Sequence, residues 1–180
     1  MIIIINGALG IGKSEVSWAL LKRFERGALL DGDYIGGAVQ PFSIFNPADI
    51  AYVLRAIHHL AAFHKSNAYP NLVINYVFET PEQLQTLRSL LSELDEQIYA
   101  FRLTCANDEH ARRIRRRARG TSIDADSLAW ELERGPTLAA LLAQAAEHGD
   151  LGQPVDTTGL NVDEVAAAIW KTLPENNAPR

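Results

Sequence analysis

The feature that most constrains this chain is a glycine-rich segment directly after a run of four isoleucines. Residues 2–6 read IIIIN, and residues 7–14 read GALGIGKS. Consecutive β-branched residues favour a buried strand, whereas closely spaced glycines favour a turn with unusual backbone angles. The next residues, SEVSWALLKRF, have the apolar spacing of a helix. The segment therefore predicts a strand, a tight loop and a helix in direct succession.

The glycine-rich segment matches the P-loop pattern G-x-x-x-x-G-K-[ST] at every fixed position. In such a loop the backbone N–H groups and the N-terminus of the next helix face a phosphate. Lys13 then reaches the β- and γ-phosphates, and the Ser14 hydroxyl ligates Mg²⁺. A chance glycine-rich turn is the alternative, but the flanking strand and helix favour the P-loop. We predict that ATP and Mg²⁺ are bound by Gly7, Ala8, Leu9, Gly10, Ile11, Gly12, Lys13 and Ser14.

Short β-rich runs alternate along the chain with longer helical patterns. The β-rich runs are residues 2–6, 28–31, 72–78, 98–105 and 153–157. Such alternation is typical of a parallel sheet with helices on both faces. Helices are expected to begin at Asn46, Thr80 and Asn161, because each of these side-chain caps precedes a proline or a side-chain acceptor one turn later.

Length and composition fit one globular domain spanning residues 1–180. Of the 180 residues, 47% are hydrophobic, which is enough to bury a core. No apolar run approaches the roughly 20 residues that cross a bilayer, and no export signal is present, so we expect a cytoplasmic protein. The net charge of -5 argues against general affinity for nucleic acid or anionic lipid.

Two carboxylates are candidates for chemistry beside the P-loop. The second β-rich run ends in LLDGDYIGG, which places Asp31 and Asp33 at the carboxyl end of a strand, where open α/β sheets bind ligands. Carboxylates one residue apart point in different directions, so one can hold Mg²⁺ while the other accepts a proton from an attacking hydroxyl. We assign Asp31 to the metal and Asp33 to the base and the acceptor. The reverse assignment and a simple Asp-Gly-Asp turn are the alternatives.

A third candidate is the segment ARRIRRRARG, which holds six arginines between residues 112 and 119. On a helix, Arg113 and Arg117 share one face, whereas Arg112, Arg116 and Arg119 lie on another. A solvated helix face is the usual meaning of such a run, and an RNA-binding patch is a further interpretation. Concentrated charge in an acidic protein still indicates a specific anion. We therefore predict that Arg113 and Arg117 contact the transferring phosphoryl group, and that the other arginines face solvent.

Together these features resemble the small P-loop kinases, a group that includes shikimate, gluconate and adenylylsulfate kinases and chloramphenicol phosphotransferases. The likeness rests on residues 7–14, the LDGD ending of the second strand, the R-x-x-x-R segment before a glycine, and DTTGLNVDEVAAAI. The chain is most similar to the tunicamycin-resistance type, which shares the INGA-x-G-x-GK opening, an RA in the second helix and an R-x-R-x-R-A-x-G run.

The resemblance implies a three-layer α/β sandwich around a five-stranded parallel sheet of order 2-3-1-4-5, with a helical lid at about residues 118–135. It implies that Arg113, Asp156 and Thr157 border the nucleotide. It also implies that Arg55 lies near the acceptor, for which an ordinary surface arginine is the alternative.

One departure from that group concerns magnesium. The third β-rich run has no aspartate where many P-loop enzymes carry an acidic residue, and Glu79 follows just past its end. Magnesium binding then falls to Asp31 or Asp33. The acceptor region, YIGGAVQPFSIFNPAD, also differs from that of the known members, so the acceptor stays open.

The sequence as a whole predicts an ATP-dependent kinase that transfers the γ-phosphoryl group to a hydroxyl of a metabolite or an antibiotic. The alternative is a nucleotide-binding regulatory or nucleic-acid-associated protein without that activity. A GTPase switch is disfavoured, because no N-K-x-D-like guanine-reading segment occurs at a suitable place.

Overall fold

The isoleucine run forms the central strand of a parallel sheet. A computed structural model describes residues 1–120 and 124–174. β1 (Ile2–Gly7) is buried along its whole length. The other strands are β2 (Gly27–Asp31), β3 (Asn71–Asn75), β4 (Ile98–Thr104) and β5 (Gln153–Asp156). All pairings are parallel and the order is β2-β3-β1-β4-β5, which confirms the expected fold and brings the carboxyl ends of the strands to one edge.

Helices cover both faces of the sheet. Within the described residues they are α1 (Lys13–Leu21), α2 (Gly32–Gly37), α3 (Pro47–Ser66), α4 (Pro81–Leu91), α5 (Asn107–Arg119), α6 (Ala125–Ala145) and α7 (Val162–Thr172). Ile2 and Ile4 pack with α3, α4 and α6, while Ile3 and Ile5 pack with α1 and α7. Alternation along the strand therefore builds two apolar layers. None of the described helices combines the length and the apolar character that crossing a bilayer requires.

The third strand is shorter than the sequence predicts, because the chain leaves the sheet after Asn75. The expected run extended to residue 78, whereas β3 ends at Asn75. The buried Asn6 side chain binds the backbone beyond that point. Its Oδ1 accepts from the Phe78 N–H at 3.0 Å, and its Nδ2 donates to the Phe78 carbonyl at 3.2 Å. A second bond from Nδ2 reaches the Leu151 carbonyl at 3.2 Å. Asn6 therefore holds two connecting segments beside the P-loop.

The three predicted helix starts are confirmed. Asn46 and Asn161 each accept a backbone N–H of the first turn, and Asn161 forms a reciprocal capping box with Glu164. Thr80 also caps its helix, by accepting from the Gln83 N–H at 3.4 Å. The short helix α2 is not predicted by the sequence, and it begins because the Asp31 side chain caps it.

The predicted lid is divided between two helices. Residues 118–119 end α5, residues 125–135 belong to α6, and residues 121–123 lie outside the described residues. The two helices pack closely at Gly135, where an added Cβ would lie 2.9 Å from Ile114 Cδ1 and 3.3 Å from His110 Cε1. Movement of this segment stays a prediction.

Candidate functional site

The P-loop turns sharply at Gly10 and Gly12, which take backbone angles that other residues rarely adopt. Gly10 has a φ of 75° and Gly12 a φ of 109°. Gly12 is also the residue that precedes α1. The loop closes where the Ile11 N–H donates to the Ala8 carbonyl at 3.3 Å. This turn presents the first turn of α1 to an open cleft.

The cleft above the P-loop has a volume of about 810 Å³. It lies between the P-loop, the beginning of α1, the side of α5 and the turn after β5. The predicted site residues on its walls are Leu9, Gly10, Ile11, Gly12, Lys13, Ser14, Asp33, Arg113, Arg117 and Thr157. Gly7 and Ala8 are buried at the beginning of the loop. The structure thus brings most of the predicted residues together around one space.

Lys13 is a buried cation at the base of the cleft. Its side chain donates to the Ala8 carbonyl at 3.3 Å. Burial lowers the pKa of Lys13, and the nearby carboxylates of Asp33 and Asp31 oppose that shift. Burying an ammonium group is costly unless an anion compensates it, so the position suits a negatively charged ligand.

One oxygen of the Asp31 side chain binds the backbone, and the other faces Ser14, which lines the cleft. Its Oδ1 accepts from the N–H groups of Asp33 at 3.0 Å and Tyr34 at 3.3 Å, which begins α2. Its Oδ2 accepts from the Ser14 hydroxyl at 3.5 Å. The turn and the metal site were alternatives on the sequence. In the structure the same carboxylate forms the turn and also faces Ser14.

Asp33 projects into the cleft from the first turn of α2. Although the side chain is exposed, the surrounding protein reduces its hydration, and this desolvation raises the pKa of Asp33 against the opposing effect of Lys13. Tyr76 lies behind it, with its ring against Gly32. Desolvation and the charges of Asp33 and Glu79 raise the pKa of Tyr76 to about 12, so its hydroxyl stays protonated at neutral pH.

Arg113 joins three segments of the chain at the cleft wall. Its guanidinium donates to the Ile11 carbonyl at 3.0 Å, to the Thr157 hydroxyl at 2.8 Å and to the Thr157 carbonyl at 2.6 Å. It also pairs with Glu109, one turn earlier on α5, at 2.5 Å. Glu109 in turn accepts from the Gly159 N–H at 2.9 Å. Arg113 therefore connects the P-loop to the turn after β5.

The arginines of α5 divide between two faces as the sequence predicts. Arg113 and Arg117 are half-buried, whereas Arg112, Arg116 and Arg119 are exposed. The exposed side chains of Arg112 and Arg116 nevertheless border the cleft, so that this face is not wholly turned away from it.

His110 is a site residue that sequence reasoning missed. It is 1% exposed, and its Nε2 lies 2.6 Å from the Leu9 carbonyl of the P-loop. Burial lowers the pKa of His110, so a neutral ring donates this bond at pH 7. The signal was the helical spacing of His110, Arg113, Ile114 and Arg117, which puts all four on one side of α5.

Two ion pairs anchor α6 beside the cleft. Glu131 pairs with Arg117 of α5, and Arg134 pairs with Glu79 at 2.5 Å. The Arg134 guanidinium also lies 5.8 Å from the centre of the Phe45 ring, whose side chain is 75% exposed. Sequence reasoning did not single out Glu131, Arg134 or Phe45, because their partners come from distant segments.

Arg55 and Asp156 are predicted site residues that do not line the cleft. Arg55 is exposed on α3 and makes no hydrogen bond or ion pair with residues 1–120 or 124–174. Asp156 precedes Thr157 but accepts from the Thr158 N–H at 2.9 Å and the Thr158 hydroxyl at 2.7 Å. These bonds lower the pKa of Asp156. Its carboxylate orders the turn that carries Thr157.

A metal ion would find few protein ligands here. In the part of the chain that the structure describes, no three acidic, histidine or cysteine side chains group together as a metal site. Ser14 and Asp31 offer one pair of oxygens for a cation, because they face each other at 3.5 Å beside the cleft. Such a pair suits an ion that also takes ligands from water or phosphate.

Comparison with known proteins relates the chain to small kinases by its fold. No protein-family model and no curated protein matches it. The tunicamycin resistance protein of Deinococcus radiodurans is 20% identical over 94% of this chain and 93% of its own, with a TM-score of 0.63. A gluconokinase from Sinorhizobium meliloti 1021 is 18% identical over 97% and 93%, with a TM-score of 0.60. A shikimate kinase from Acinetobacter baumannii, in complex with shikimate, is 17% identical over 94% and 90%, with a TM-score of 0.59. At these identities the likeness establishes the fold, and at that level the resemblance to small P-loop kinases is confirmed.

Proposed function

We propose that this chain, which has the fold of the small P-loop kinases, is an ATP-dependent kinase that phosphorylates a hydroxyl group of a small molecule. The observation that carries the proposal is the convergence of Lys13, Ser14 and Asp33 on one cleft, opposite Arg113 and Arg117. A buried cation, a glycine turn and a helix N-terminus together suit a polyphosphate. We further propose that residues 1–180 form a single domain that acts in the cytoplasm, where ATP is supplied.

In the proposed reaction Asp33 activates the acceptor. The acceptor oxygen attacks the γ-phosphorus while the bond from that phosphorus to the β–γ bridging oxygen breaks, and the bridging oxygen keeps the electron pair and leaves with ADP. The hydroxyl proton passes to the Asp33 carboxylate. Because desolvation raises the pKa of Asp33, this carboxylate is a stronger base than one in open water.

The remaining cleft residues hold the nucleotide in this proposal. Lys13 and the N–H groups of the P-loop neutralise the phosphates, while Thr157 borders the base and the sugar. Arg113 was predicted from the sequence to contact the transferring phosphoryl group as well as the nucleotide. Because Ile11, Thr157 and Glu109 already engage its guanidinium, we assign it to the nucleotide alone. Arg117 stabilises the charge on the transferring group, as expected of a cation aimed at a transition state. One of its nitrogens is paired with Glu131, and a guanidinium carries five N–H donors.

Ser14 and Asp31 fit the Mg²⁺ ion that accompanies ATP. The two side-chain oxygens are 3.5 Å apart at the cleft edge, and Mg²⁺ commonly takes one or two protein oxygens with water and phosphate as its other ligands. Asn75 of β3 is the residue paired with Asp31 of β2 in the sheet. Its buried amide has no hydrogen-bond partner among the described residues, which also favours a polar occupant there. When bound, the ion would neutralise charge on the β- and γ-phosphates.

Acceptor-dependent release of ADP tests the proposal. The panel holds nucleosides, sugars, hydroxy acids and hydroxylated antibiotics, each assayed with ATP and Mg²⁺. We expect ADP release with at least one acceptor and its loss in Lys13→Ala, because the ammonium group is needed at the phosphates. Lys22→Ala removes an exposed lysine just after α1 and is the matched control, with unchanged activity. ADP release that persists in Lys13→Ala would contradict the proposal.

The exposed side of α5 favours an alternative function, that of a nucleic-acid-associated P-loop protein. Arg112, Arg115, Arg116 and Arg119 are all exposed along that helix. Polynucleotide binding that weakens steeply with salt, without acceptor-dependent ADP release, would support this candidate over the kinase.

A further inference from the structure

Two buried polar side chains lie below the P-loop, in a layer that is otherwise apolar. Ser17 of α1 and Asn75 of β3 are both 0% exposed. Neither the Ser17 hydroxyl nor either polar atom of the Asn75 amide has a hydrogen-bond partner among the described residues. Buried groups of this kind are almost always satisfied, and an asparagine amide can make up to four hydrogen bonds. No group in residues 1–120 or 124–174 satisfies these atoms, and ordered water is the partner that buried polar groups commonly take in that case.

The sheet register shows where this polar group points. Val73 packs in the layer under α1 with Val16 and Leu20, whereas Ile74 faces the opposite layer. Since side chains alternate along a strand, Asn75 points to the same side as Val73, under α1. Ser17 lies one turn after Lys13 on the buried side of α1. Both polar side chains therefore belong to the space between α1 and the sheet.

Asn75 is also next to the proposed metal site. It is in register with Asp31 on the neighbouring parallel strand, and such strands lie about 4.8 Å apart. Paired residues of parallel strands project to the same face, so the Asn75 amide stands beside the Asp31 carboxylate. Asp31 in turn faces Ser14 at 3.5 Å. A continuous series of polar groups therefore runs from the cleft edge to the buried amide.

We propose that Asn75 and Ser17 hold ordered water that anchors the hydration shell of the divalent cation bound with the nucleotide. This inference rests on the proposed function, because it assigns the cation to Ser14 and Asp31. Asn75 is then a positioning residue that acts through water and adds no charge, so the protein charge at the ion comes from Asp31. An amide can both donate to a carboxylate and accept from a metal-bound water, which an apolar side chain of the same size cannot do.

The affinity of the ADP complex for Mn²⁺, measured by electron paramagnetic resonance of the free ion, tests this inference. Asn75→Leu keeps the size of the side chain and should weaken Mn²⁺ binding about tenfold, as is typical when a group behind a metal ligand is lost. Binding of ADP in the presence of EDTA should stay within twofold. Asn75→Asp adds a carboxylate beside Asp31 and should bind Mn²⁺ more tightly than the original chain.

Asn71→Leu is the matched control, because Asn71 lies on the same strand at the opposite edge of the sheet and bonds to the Arg26 carbonyl at 3.1 Å. This variant should leave Mn²⁺ affinity unchanged. Ser17→Ala is the second test of the buried group and should weaken Mn²⁺ binding in the same direction as Asn75→Leu.

The outcomes separate this inference from the proposed function. If the original chain binds Mn²⁺ with ADP and Asn75→Leu binds it equally well, the inference is overturned and the kinase proposal stands. The same holds if Asn75→Leu loses metal-free ADP binding to the same extent as Mn²⁺ binding. If the original chain binds no Mn²⁺ with ADP, the proposed function itself fails.

Discussion

Replacement of Gly10 by alanine should destabilise the chain through one specific contact. Gly10 has a φ of 75°, and a Cβ built there would lie 2.4 Å from Ile114 Cγ1 and 3.2 Å from Ile114 Cδ1. Ile114 is fully buried, and its Cδ1 also lies 2.9 Å from where a Cβ on Gly135 would be, so it has little room to move aside. Both the backbone angle and the packing therefore oppose a side chain at this position.

The two effects can be given magnitudes. A left-handed backbone angle costs an alanine about 1–2 kcal/mol, and an extra methyl group in a packed core costs about 1–3 kcal/mol. Gly10→Ala should therefore lower the free energy of unfolding by about 2–5 kcal/mol. Ile114→Ala alone should lower it by about 2–5 kcal/mol through the cavity that it leaves. Because Ile114→Ala removes the contacting atoms, the double variant should be about 1–3 kcal/mol more stable than the sum of the two effects implies.

Urea unfolding of the four chains, without nucleotide, measures this coupling. Gly37→Ala is the control, since a Cβ there meets no atom within 4 Å, and it should change the free energy of unfolding by less than about 1 kcal/mol. The reasoning would be refuted if the change in unfolding free energy of the double variant equalled the sum of the two single changes to within about 0.5 kcal/mol. The contact between the P-loop and α5 would then contribute no measurable stability.

Three further predictions concern the cleft. Asp33→Asn should lower kcat by about 10² or more with little change in ATP affinity, as expected for a general base, and loss of ATP binding instead would assign Asp33 to the metal. Arg117→Ala should lower kcat about 100-fold, whereas the kcat of Arg119→Ala, on the exposed face, should stay within about twofold of the original value. Equal losses of kcat in the two variants would remove Arg117 from the mechanism. Burial lowers the pKa of His110 from 6.5, so the unfolded chain takes up a proton that the folded chain resists, and stability should fall as the pH drops below about 6.5. In urea unfolding at pH 7.5 and 5.5, His110→Gln should lose less stability on acidification than the original chain, and an equal loss would refute the burial argument.

The parts of the fold that the sequence predicted depend on local signals. The isoleucine run, the glycines of the P-loop and the cap at Asn161 act through neighbouring residues, so their patterns can be read directly from the order of residues. The order of the strands came with the family resemblance, which carried information that no single segment holds.

What the sequence did not reveal depends on contacts between distant residues. β3 ends early because Asn6 binds the backbone of Phe78, which is 72 positions away. His110 contributes through Leu9, at a separation of 101 positions. No local pattern encodes such a pairing, although the shared helix face of His110 and Arg113 indicated that one side of α5 meets something specific.

Asp31 shows a different limit of sequence reasoning. The pattern Asp-Gly-Asp fits both a helix cap and a metal ligand, and each interpretation uses the same carboxylate. Only the positions of its two oxygens, one at the Asp33 N–H and one at Ser14, show that the cap leaves the second oxygen available. A sequence specifies the residue type but not the direction of each lone pair.

The segments that Arg113 joins are far apart in the chain, so we expect them to come together late in folding. Its side chain binds Ile11 at a separation of 102 positions and Thr157 at a separation of 44. Contacts that close such long loops form after local helices, and interactions absent from the transition state act mainly on the rate of unfolding. A nucleotide seated among these groups would therefore leave refolding almost unchanged and lengthen the lifetime of the folded chain, so that ligand-bound molecules would resist irreversible inactivation during heating.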